Sequence, residues 1–217
     1  DGISAYQNGQ FERADNHFEL ALQIMPDRIE AYPLLAKSRV QLGLTDRAES
    51  AYRSCLELDA YNIECGLNYS DLLLKQTRFD EVIEVAEPIS KRHTEDWRSF
   101  RLLTDAYLQT SRYGLAEDNF NQMLSISNQY SHLKQFALSL YNAGEIRRAE
   151  PYLVRCLERN SMDADILQIL AGIYLNSGNY ELVIEAGNRL LQTGHNSNSI
   201  KAKLMIAYEL TGDIDRY

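Results

Sequence analysis

One interval governs this chain. Gly9 and Gly43, Gly144 and Gly178, and Gly178 and Gly212 are each 34 residues apart, and Ala14 and Ala48 keep the same step. Ala48 and Ala116 are two such steps apart, while Ala116 and Ala149 are 33 apart, so one unit has lost a residue in a turn. A fixed period of this length means that one supersecondary unit is used many times. Residues 31–59 show what the unit is. Tyr32, Leu35, Ala36, Arg39 and Val40 recur at helical three-and-four spacing, Gly43 and Thr45 punctuate, and Ala48, Tyr52, Cys55 and Leu56 resume the spacing up to Asp59. The unit is a helical hairpin, and a single hairpin cannot bury its own apolar face, so the copies must stack.

The period and its small, aromatic and glycine positions resemble the tetratricopeptide repeat, and the resemblance covers essentially the whole chain. It implies an all-α fold, a right-handed superhelical solenoid of stacked antiparallel helix pairs. About six repeats are expected, at residues 1–28, 29–62, 63–96, 97–130, 131–163 and 164–197, with a partial unit at 198–217. Small residues such as Ala36, Ala48 and Cys55 let helix backbones approach closely, and Leu in their place would force the helices apart. Tyr32, Tyr52, Phe18, Phe100, Tyr107 and Phe120 fill the space between units. Pro26 closes a helix, Pro33 suits a first turn, and Pro151 falls early in a second helix, where a missing donor costs less. The third unit departs most: Gly66 stands where a bulky residue is expected, Val82 where a small one is, and Pro88 inside a helix should bend it. The exit at 193–199, with Gly194 and several Asn and Ser, reads as a looser turn.

Composition narrows the function. A net charge of −9 disfavours general nucleic-acid binding, which needs clustered Lys and Arg. The sequence has no run of 18 apolar residues and no signal-peptide pattern. It opens on Asp1 partway through a helix, so it reads as a piece of a larger protein. No phosphate loop or metal-ligand spacing is present, and His17, His93, His132 and His195 are scattered over different units. The expectation is a non-enzyme with no cofactor and no metal. Three cysteines are too few for a disulfide scaffold. Cys55 and Cys156 share the small-residue slot of their units and read as inert thiols. Cys65 opens the next helix, where neighbouring helices of such arrays touch, so a Cys55–Cys65 disulfide is the other option, decided by their Cα separation.

The resemblance also says where a partner would bind, since in this family the first helix of each unit lines the concave surface. Register then selects Lys37 and Gln41, Asn68, Asp71 and Lys75, Arg98, Arg101 and Asp105, Lys134, Gln135 and Tyr141, Gln168 and Asn176. Arg98 and Arg101 could present guanidinium forks to a carboxylate, and Asn68 could hold a peptide amide. The alternative is that these are solvated charges on an open face. The carboxylate clamp that some relatives use on chaperone tails is disfavoured, because the second unit offers Pro33 and Lys37 where a spaced Lys and Asn are needed. Two functional readings follow: a bacterial protein-interaction scaffold gripping a peptide or helix in the groove, or the non-catalytic arm of a multidomain enzyme or envelope, secretion or polysaccharide assembly machine. Self-association through uncapped ends is a third route. Cytoplasm and periplasm fit equally.

Overall fold

A computed structural model describes residues 1–195 and 197–212; Asn196, within the expected loose exit, lies outside the described residues. Among the described residues there are thirteen α-helices and no strands. They divide into two compact units, residues 1–127 and the residues from 128 onward.

The first unit holds α1 (Gly2–Gln7), α2 (Phe11–Ile24), α3 (Ala31–Gln41), α4 (Thr45–Leu58), α5 (Ile63–Lys75), α6 (Phe79–Arg92), α7 (Trp97–Gln109) and α8 (Tyr113–Ile126). Each helix packs on the next, and α3, α5 and α7 also meet one another, as do α1 and α3, so the odd-numbered helices form one layer. Tyr52, Leu73, Ile89, Leu102, Leu103 and Phe120 lie fully buried between the layers. The small positions act as expected: Ala14, Ala36, Ala48 and Ala116 have no exposed surface. Gly66 explains itself through α6, since a Cβ added there would lie 2.6 Å from Ile89 Cγ1. The bulky partner has moved from one helix to the other.

The second unit holds α9 (Tyr130–Asn142), α10 (Ile146–Arg159), α11 (Ala164–Ser177), α12 (Tyr180–Gln192) and α13 (Asn198–Thr211), again packed in succession. Leu167, Ala171, Ala186, Leu190, Ile200, Leu204 and Tyr208 form its core around the last three helices. Gly187 admits Leu204 there, with Cδ2 2.6 Å from where a Cβ would be. Met205 of α13 is 45% exposed.

The turn between paired helices accounts for the glycine period. Gly9, Gly43, Gly144, Gly178 and Gly212 all adopt positive φ, between 71° and 81°. The same register in the third and fourth pairs holds Thr77 at φ 60° and Ser111 at φ 58°, a left-handed conformation that any side chain with a Cβ resists. The turn geometry is therefore kept even where glycine is not. A second period runs through the caps: Asn62, Asp96, Asp163 and Ser197 each precede a helix and accept a backbone N–H in their side chains, while Gln129 at the matching place does not. The lost residue is located by these caps. Three residues, 127–129, separate α8 from α9 where four separate α4 from α5, and the loss falls at the division between the two units.

Two prolines need comment. α6 runs unbroken through Pro88 to Arg92. Pro151 is the sixth residue of α10 rather than a first-turn residue, so its missing donor does forfeit a bond to the Arg147 carbonyl.

Candidate functional site

The odd-numbered helices of the first unit carry a groove. One hollow of about 480 Å³ is lined by Lys37, Ile63, Glu64, Leu67, Asn68, Asp71, Trp97, Arg98, Arg101 and Leu102. An adjoining one of about 200 Å³ shares Lys37, Asn68 and Asp71 and adds Tyr6, Val40, Gln41, Tyr52, Leu72 and Lys75. Seven residues selected by register thus come together: Lys37 and Gln41 from α3, Asn68, Asp71 and Lys75 from α5, and Arg98 and Arg101 from α7. Asp105 joins through Arg101. Sequence reasoning missed the apolar floor of Ile63, Leu67, Trp97 and Leu102, because in a repeat read for its core such residues pass as packing.

The charges do not stand free. Lys37 Nζ lies 2.5 Å from Glu64 Oε1, Lys75 Nζ 2.7 Å from Asp71 Oδ2, and Arg101 donates to Asp105 Oδ2 at 3.0 Å with Asp71 at 3.9 Å. Arg98 folds back on the cap of its own helix, donating from Nε and Nη2 to Asp96. Those bonds hold the Asp96 carboxyl below the usual carboxylate range. The expected Arg98–Arg101 fork is corrected accordingly: each guanidinium already has a carboxylate, and an incoming acid must compete for it. Asn68 is likewise half used, its amide donating to the Glu64 carbonyl within α5 and leaving Oδ1 to accept.

Behind α5 a polar network fixes the groove wall. Arg78 donates to both oxygens of Glu49 at 2.7 and 3.1 Å and to Glu81, and Tyr69 OH donates to Glu49 at 2.9 Å while accepting from Arg53 at 2.8 Å. The Arg78 bonds, then that of Tyr69, bring Glu49 from 4.5 down to about 2 against the opposing effect of burial. A carboxylate with a depressed folded-state pKa stabilises fully above its unfolded value and loses that contribution as pH falls through the folded one. The acid limb of the stability curve is therefore expected to fall between pH 4.5 and about 2, and Glu49→Gln is expected to flatten that limb. Denaturant midpoints across this range check it; an unchanged limb in the variant would remove Glu49 from the account.

The remaining selected residues lie in the second unit. Lys134 and Gln135 line a hollow of about 460 Å³ along α9, with Ser131, Leu138, Ser139 and Asn142. Lys134 is tied to Asp163 at 2.9 Å and Asp165 at 2.9 Å. Burial would raise the Asp163 carboxyl, but bonds from Tyr130 and Lys134 outweigh it and hold it low. Tyr141 is half-buried, Gln168 and Asn176 are exposed, and none of the three lines a hollow described here.

The cysteine alternative is settled. Cys55 and Cys65 form a disulfide, with Cα atoms 6.4 Å apart, so Cys55 is not the inert thiol its slot implied. Cys156 is free and buried, and burial first of all pushes its thiol up to about 11.

Residues 29–62 and 134–198 match sequence profiles of the tetratricopeptide repeat. These two stretches are tetratricopeptide repeats. Solved structures agree with the repeat fold. MamA residues 41 to the end, from Desulfovibrio magneticus RS-1, is 15% identical with a TM-score of 0.64, over 75% of this chain and 93% of that one. PilF of Pseudomonas aeruginosa is 23% identical with a TM-score of 0.61, over 98% and 94%. YrrB, described as a TPR protein with an unusual peptide-binding site, is 18% identical with a TM-score of 0.65, over 90% and 97%. No curated protein matches the chain. Among its described residues no helix is long and apolar enough to cross a membrane, and no group of His, Cys, Asp and Glu has the arrangement of a metal site.

Proposed function

We propose that the chain is a non-catalytic protein-interaction scaffold, and that the groove of α3, α5 and α7 holds a peptide or helix of its partner. One observation carries this reading: an apolar floor of Ile63, Leu67, Trp97 and Leu102 is framed by Lys37, Asn68, Asp71 and Arg101 in one open hollow. Apolar floor with a few convergent polar groups is the composition of a binding cleft, the first supplying affinity and the second orientation. YrrB, a repeat protein with a peptide-binding site, supports the class. The paired charges imply selectivity, since a segment must offer its own Lys and carboxylate partners to replace those it displaces.

The chain has a single tryptophan, and it lines this hollow. Peptides selected from an array are expected to shift Trp97 emission on binding, and Arg101→Glu with Asn68→Ala is expected to weaken them about tenfold or more. Peptides that bind with no change in Trp97 emission, equally in the variant, would place the partner elsewhere.

A further inference from the structure

We infer that the outer groove between α10 and α12 in the second unit is a separate docking surface, for an apolar segment of a protein partner flanked by Lys or Arg. The hollow measures about 620 Å³ and is lined by Val154 and Leu157 of α10, Tyr174 of α11, and Leu182 and Ala186 of α12, with Glu158, Glu185 and Arg189 around it. This size accommodates several side chains. Val154 and Leu182 are 36% and 40% exposed, so the apolar walls face solvent.

The repeat supplies its own control. Val154 is the ninth residue of α10 and Leu182 the third of α12. The ninth residues of α2, α4, α6 and α8 are Glu19, Arg53, Glu87 and Asn121, and the third residues of α2, α4, α6, α8 and α10 are Arg13, Arg47, Glu81, Leu115 and Arg148. At the matching place in the first unit Arg53 and Glu81 form an ion pair, 3.6 Å apart, beside the Glu49 network. A position that is charged in three other helices and an amide in a fourth is thus an exposed valine here, and the facing position, charged in four of the five other helices, is an exposed leucine; of the matched pairs only Val154 and Leu182 are both apolar. Core packing does not require the change, since neither residue is buried. An exposed apolar cluster replacing an ion pair marks a surface that another molecule covers.

The rim selects the sign of that molecule. Arg189 uses its guanidinium on Glu185 at 3.2 Å and on the Ser161 carbonyl. Glu185 remains 61% exposed at its side chain, and Glu158 is exposed on the facing helix. A flanking Lys or Arg on the incoming segment would meet these carboxylates.

The test swaps the first unit's pair into the second. Val154→Arg with Leu182→Glu leaves the net charge unchanged, so general attraction of basic peptides to an acidic protein is held constant. The probe is a labelled amphipathic leucine–lysine helical peptide, followed by fluorescence anisotropy on the full chain, with a serine–lysine peptide as the charge-only comparison and circular dichroism as the folding check. The leucine–lysine peptide is expected to bind the native chain, to lose about tenfold or more against the folded double variant, and to exceed the serine–lysine peptide on the native chain. Equal binding by the double variant, no advantage over serine–lysine, or no binding by the native chain would each overturn the inference. Should the double variant not fold, Leu182→Gln alone carries the same expectation.

Discussion

Arg39→Leu is expected to cost about 3–5 kcal/mol, the largest single effect in the chain, because it strands a buried carboxylate. Arg39 and Asp15 are each 7% exposed, with Arg39 Nε donating to Asp15 Oδ1 at 2.7 Å. Arg39 also reaches Glu19 at 2.9 Å, but the Glu19 side chain is 46% exposed and can return to water. Asp15 cannot. The pair itself is a different matter: removing both charges by Asp15→Leu with Arg39→Leu is expected to recover most of the loss, since two buried ions gain from each other little more than they lost on leaving water. Urea denaturation of the two variants separates the cases. A single variant as stable as the double one would mean that Asp15 is solvated after all. The consequence reaches the groove, because Lys37 and Gln41 ride on the helix that Arg39 anchors.

Reduction of the Cys55–Cys65 disulfide is expected to lower stability by about 3 kcal/mol, the loop-closure entropy of a ring spanning 10 residues in sequence. The bond joins α4 to the start of α5 with both cysteines fully buried, so it holds the helix that supplies Glu64, Asn68 and Asp71 to the groove. Cys156 is a thiol under either condition, so the difference between oxidised and reduced denaturation midpoints reports this bond alone. A midpoint unmoved by reductant at full reduction, verified by alkylation, would show that packing alone places α5.

Much of the fold was legible because a repeat writes its constraints several times. The left-handed turn is visible as Gly9, Gly43, Gly144, Gly178 and Gly212, and the buried alanines mark the helix crossings. Thr77 and Ser111 were not legible, since nothing local in a Thr or Ser announces a positive φ; only the register, once the structure fixes it, does. Cys55 misled because its slot suits a small apolar residue whether reduced or bonded, and the decisive quantity is a separation across two helices. The groove positions followed from the family resemblance carried over by register, whereas their pairing did not. Arg98 lines the hollow but its guanidinium turns back to Asp96, two residues away, a rotamer choice that no spacing rule contains. The apolar outer pair Val154 and Leu182 was in plain view, but it becomes informative only beside Arg53 and Glu81, whose contact the sequence does not show.

The central claim is that the inner layer of the first unit is where a partner sits, and site-specific photo-crosslinking in cells tests it most directly. With a benzophenone side chain replacing Asn68 or Lys75, both lining the groove, a discrete adduct with one partner is expected, and none with the same group at Glu57, an exposed residue of α4 outside it. Adducts from Glu57 with none from Asn68 or Lys75 would contradict the account.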